Sequence, residues 1–181
     1  MSIQEFAAGI QATSLSTSLK TATWVIPTMQ SIHIIMVGVV FVSILAVALR
    51  VLGRFRADEP LAKVWGRFAP FLWVGVLLMA ITGTLLTIAE PVREFMTLSF
   101  RLKLAMLVVC LASAAFFGRS MQRAARNPAA GLAPAPGAAR VAAVVTLALW
   151  LFVIFLGRAI AYDKDIWGDW SPMQSLGGAV I

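Results

Sequence analysis

Apolar and polar residues in this chain separate into long blocks. Four apolar runs cover residues 32–49, 68–89, 104–118 and 141–157, and charged or Pro/Gly-rich stretches bound them. A helix that crosses a hydrocarbon core of about 30 Å needs roughly 20 such residues. With their flanks, the runs predict spanning helices at about 28–52, 68–89, 99–120 and 140–162. Upstream, Ile3, Phe6, Ala7, Ile10 and Ser14 recur at helical spacing, with Gln4, Glu5 and Gln11 around the turn. That pattern predicts an N-terminal amphipathic helix lying in a membrane interface. The expected fold class is all-α: an integral membrane four-helix bundle, one transmembrane domain over residues 1–181.

Between the runs the composition changes. Residues 53–67 read GRFRADEPLAKVWGR, residues 90–100 form a short expected loop, and residues 127–139, NPAAGLAPAPGAA, read as a flexible linker. The tail from residue 163 carries Asp163, Asp165 and Asp169 with Trp167 and Trp170, a candidate interfacial aromatic belt. Residues 1–24 lack the basic start and apolar core of a signal peptide and are expected to persist in the mature protein.

The composition agrees with the pattern. The chain is 60% hydrophobic and 13% charged, against about 25% charged in a soluble domain. A net charge of +7 invites a nucleic-acid reading. The positions of the charges argue against it, because they border apolar runs, where they set orientation. The stretches after the first and third runs hold nine Lys/Arg, counting the flanking Arg50 and Arg140; the other side holds six, with six of the eight acids. The positive-inside rule puts both basic stretches in the cytoplasm. Both termini are then expected outside, in the periplasm if this is a bacterial inner membrane. The single Cys110 excludes an internal disulfide framework.

Candidate chemistry is sparse. The only histidine, His33, lies inside the first run. At about 1.5 Å per residue it sits roughly 9 Å from the expected outer end. The same count brings Lys103, Met106, Gly83, Arg158 and Glu90 to the outer third, from separate parts of the chain. Three readings follow. In the first, His33 is an axial ligand to b-type haem. Lys103 and Arg158 then meet the propionates, Gly83 leaves room for the macrocycle, and Met106, Lys103 or another subunit supplies a sixth ligand. In the second, Met29, His33 and Met36, at i, i+4 and i+7, form a soft-ligand stripe for copper. In the third, His33 bonds Thr82 or Thr84 on a neighbouring helix, and Lys103 and Arg158 extend to headgroups. No nucleophile–base pair, phosphate-cradling loop or paired-carboxylate site occurs, so hydrolase and transferase chemistry are not expected.

These residues also carry a resemblance. Pro27 with Ser31-Ile32-His33, LRVLG at 49–53, Thr82-Gly83, FRLKL at 100–104 and GRAIAY at 157–162 resemble a widespread group of uncharacterised bacterial four-helix inner-membrane proteins, a domain of unknown function. More distantly, the layout is similar to copper-resistance D-type proteins and membrane protoporphyrinogen oxidases. In the oxidases an early histidine and a later lysine are associated with haem, and the matching positions are His33 and Lys103. The resemblance implies a redox cofactor. The expected function is a membrane redox subunit that binds haem b and exchanges electrons with a periplasmic or membrane partner. The alternatives are copper handling or a structural subunit of a membrane assembly. Expected partners are the lipid bilayer and either further copies of the chain or a redox protein, and no nucleic acid.

Overall fold

A computed structural model describes residues 2–124 and 136–176. Among these the fold is helical, with no strand: α1 (Ile3–Gln11), α2 (Ser14–Thr21), α3 (Val25–Val51), α4 (Leu61–Ala89), α5 (Pro91–Phe95), α6 (Leu98–Ala124), α7 (Gly137–Ala159) and α8 (Asp163–Trp167), with short 3-10 segments before and after α8. Four helices, α3, α4, α6 and the one built on α7, are long and apolar enough to cross a membrane. Their apolar surface is mostly not buried within the chain: in the most apolar stretch of α6, 11% of residues are. Ile34, Val108, Phe116 and Val141 are all more than 60% exposed.

The helix ends follow local chemistry. Pro27 falls in the first turn of α3, where a missing N–H costs no helical hydrogen bond. Gly53 ends that helix in the left-handed region, φ 74°. The Arg54 N–H reaches the Leu49 carbonyl at 2.8 Å and the Gly53 N–H reaches Arg50 at 3.0 Å, the paired bonds of a Schellman ending. α4 begins seven residues before the expected position 68. Hydropathy marks only the lipid-compatible part of a helix, and the first two turns of α4 carry the exposed Lys63 and Arg67. The expected 90–100 loop is instead α5 and the start of α6, because Pro91 is preorganised for a first helical turn. The end of the expected linker is likewise helical, since α7 starts at Gly137 behind Pro136. Residues 127–135 of that linker lie outside the described residues.

The chain divides into two compact units. The first comprises Met1–Ile34, Met79–Met106 and Val153–Ile181; the second comprises Ile35–Leu78 and Leu107–Phe152. Each takes a segment of all four long helices.

In the first unit the short elements lie against each other. α1 opens with a capping box between Ser2 and Glu5. It packs on α5 through an edge-to-face contact of Phe6 and Phe95, whose ring also meets Phe100 at 5.6 Å. Ala7 is fully buried there. In the second unit the contacts are close approaches of helix surfaces. A Cβ on Gly75 would stand 2.7 Å from Val40, and one on Gly118 would stand 2.7 Å from the Trp65 ring. Trp65 also packs edge-on against Phe117 at 5.2 Å. Both glycines are therefore required by space. At the end of α3, the buried Arg50 donates from Nε to the Glu59 carbonyl at 2.8 Å, while the Glu59 carboxylate pairs with Arg56 and Arg67.

Candidate functional site

The candidate residues fall almost entirely in the first unit. His33, on α3, places Nδ1 2.9 Å from Thr82 Oγ1 on α4. Thr82 is 4% exposed and also donates toward the Met79 carbonyl at 3.4 Å. Position 83 is tight beside the imidazole: a Cβ there would lie 3.2 Å from His33 Cε1, so the ring would have to give by a few tenths of an ångström. The room expected at Gly83 for a macrocycle is thus occupied by the histidine itself.

Lys103, on α6, is half-buried. Its Nζ lies 3.4 Å from where a Cβ on Gly157 of α7 would stand. Glu94 is the acid whose charge reaches Lys103, and the charge on Lys103 in turn reaches His33. Glu94 itself is 9% exposed and pairs with Arg93 at 3.4 Å. Burial pushes its carboxyl above the usual carboxylate range, against the opposing pull of Arg93 and, more weakly, Lys103. Arg93 also pairs with Glu90 at 2.7 Å, so Glu90 is engaged beside α5.

Arg158 is exposed and bound to its own helical neighbour. Its Nη2 donates to the Tyr162 hydroxyl at 2.9 Å, and its guanidinium lies 5.0 Å from the centre of that ring. Met106 and Met29 are half-buried. Met36 is half-buried too but belongs to the second unit. No group of three His, Cys, Asp or Glu suited to a metal occurs among the described residues.

Sequence reasoning missed the most heavily bonded polar group of this unit. Asp163, 2% exposed, receives the Ser99 N–H at 2.8 Å and the Leu98 N–H at 3.1 Å. Those are orphan donors at the start of α6, where the helix dipole also favours a negative charge. Ser171 Oγ donates to the same carboxylate at 2.5 Å, and Trp167 Nε1 donates to Ser99 Oγ at 2.8 Å. Trp167 is therefore drawn into a polar contact, while Trp170 is 83% exposed. An acid just past the fourth apolar run, opposite a helix start with two serine-type residues, was the only available signal.

A haem site can be tested against these positions. His33 fits an iron ligand in one respect: the hydrogen bond between Nδ1 and Thr82 fixes the ring and leaves Nε2 as the ligating nitrogen. Two of the other positions are engaged within the chain. The ring takes the space at Gly83, and Arg158 is held by Tyr162. Comparison of the chain with known protein families, with curated proteins and with solved structures returns no match.

Proposed function

We propose that this chain is a multi-pass protein of a bacterial inner membrane, with both termini periplasmic, and that it serves as a structural subunit of a membrane assembly. One observation carries the reading: His33, the residue that most called for a ligand, has a hydrogen-bond partner in Thr82 and a fitted seat against Gly83. Arg158 has Tyr162, and Lys103 has an acid within electrostatic reach. Charged and polar groups in a bilayer are costly unless paired, and here the chain supplies partners for His33 and Arg158 and an acid in the vicinity of Lys103.

The assembly part of the reading rests on the short elements. Ile3, Phe6, Leu15, Trp24 and Trp170 lie outside or at the ends of the long helices and are 47% to 83% exposed. Apolar surface of that kind seats in a headgroup region or against a partner. α1 is the interfacial amphipathic element in this proposal. Membership of the uncharacterised four-helix family belongs to the same proposal.

The test is native mass measurement after mild-detergent extraction from membranes, together with reporter fusions. Fusions at Ala57 should report cytoplasm and fusions after Ile181 periplasm. A higher-order species, with copies of the chain or another protein, supports the reading. A stable monomer, or a cytoplasmic C-terminus, contradicts it.

A second reading keeps the redox function. Thr82 on Nδ1 is the kind of second-shell bond that orients a ligating imidazole, so haem b through His33 Nε2 is the alternative outcome, with Lys103 the nearest cation for a propionate. Copper on Met29, His33 and Met36 is a further one.

A further inference from the structure

The second unit holds a groove of about 660 Å³ between the first half of α4 and the last turns of α6. That volume falls within the range of roughly 300–1,000 Å³ typical of ligand sites. Its α4 wall sets the small residues Ala62, Gly66 and Ala69 beside Trp65, with Pro70 and Trp73 beyond them. Nothing lies within 4 Å of where a Cβ on Gly66 would stand, so the groove is open at its middle. Pro70 cannot donate to the Gly66 carbonyl, which leaves that wall without one rung of the helix ladder.

We propose that this groove binds one acyl chain of an anionic phospholipid, with Arg119 holding the headgroup. Three observations favour that occupant. From Ala62 to Trp73 the α4 wall spans about 16 Å at 1.5 Å per residue, close to the roughly 15 Å of one leaflet. The charge sits at one end: Arg119 lines the groove at the end of α6, is exposed, and forms no ion pair among the described residues. Lys63, in the first turn of α4, is exposed as well. By the distribution of basic residues this is the cytoplasmic side, where basic pockets between helices meet anionic lipid. A second copy of the chain is the competing occupant, and small residues suit helix contacts. It would bring Lys63 and Arg119 against their own counterparts, a like-charge arrangement.

The proposal rests on the membrane reading. Its test uses the full chain, extracted from membranes and exchanged into nanodiscs of phosphatidylcholine mixed with phosphatidylglycerol of the same acyl chains. Native mass spectrometry then counts the lipids that stay bound. Wild type should retain phosphatidylglycerol over phosphatidylcholine by about fivefold, the worth of one basic side chain near a membrane surface. Arg119→Gln should abolish the preference and keep a bound lipid. Gly66→Leu, which fills open space and so should fold normally, should lose the bound lipid of either kind. Equal retention in wild type, or an unchanged preference in either variant, overturns this proposal alone. So does a wild-type dimer that Gly66→Leu converts to monomer, since the occupant is then a second copy. Absence of the chain from the membrane fraction overturns both this proposal and the membrane reading.

Discussion

The two units of the chain are held by different physics. The first is tied by polar contacts between residues far apart in sequence: His33 with Thr82, Asp163 with the start of α6, Trp167 with Ser99. The second relies on shape, with Gly75 giving way to Val40 and Gly118 to Trp65. In a bilayer, apolar surface gains little by leaving lipid, so helices associate through close packing and hydrogen bonds. In the proposed membrane setting the two units are one solution each. The chain is most sensitive to loss of the Asp163 acceptor in the first unit and to a methyl group at Gly75 or Gly118 in the second.

The largest effect is expected in the first unit. Asp163→Ala removes the acceptor for two backbone N–H groups and for Ser171, and should cost about 2–3 kcal/mol. Thermal unfolding in detergent measures the loss. Hydrogen exchange should become faster at Leu98 and Ser99, whereas unchanged exchange there would remove Asp163 from its capping role. In the second unit, Gly118→Ala places a methyl group against Trp65 and should cost about 1–3 kcal/mol. Gly38→Ala is the control, because nothing lies within 4 Å of its Cβ position; it should be neutral or stabilising by up to about 1 kcal/mol. Equal effects of the two alanines would show that shape does not govern this unit.

A smaller effect concerns pH. Glu94 holds its proton to higher pH in the folded chain than in the unfolded one, because burial disfavours its charge. Its contribution to stability is therefore full below the ordinary carboxylate value and falls as pH rises through the raised value. Midpoints of thermal unfolding measured across that interval should decline for wild type, and Glu94→Gln should flatten the decline. A steeper decline in the variant would reverse the assignment.

The four long helices were legible in the sequence because continuous apolar length long enough to cross a membrane is visible in one dimension. The His33–Thr82 contact was legible as one alternative, since a lone histidine in an apolar run has few polar groups to meet. Depth alone does not give the partner of Arg158. Its axial level matched the cluster, but its side chain turns to Tyr162, one helical turn away; the i, i+4 spacing was there to be read. Asp163 was not legible as a cap. Its partners are 64 and 65 residues distant, and only the fold brings the fourth long helix's end to the third's beginning. Gly118 was hidden for the same reason, since its constraint is a tryptophan on another helix. The helix starts at Leu61 and Gly137 were hidden because hydropathy falls before helical geometry does.

The central claim is that His33 is a structural tie satisfied within the chain. Protein purified from cells well supplied with haem decides it through its visible absorption spectrum, recorded for wild type and His33→Ala together with their unfolding midpoints. A structural His33 gives no Soret band in either protein and a lower midpoint in the variant, by about 1 kcal/mol of lost contact with Thr82. A Soret band in wild type that disappears in His33→Ala would contradict it and make His33 an iron ligand.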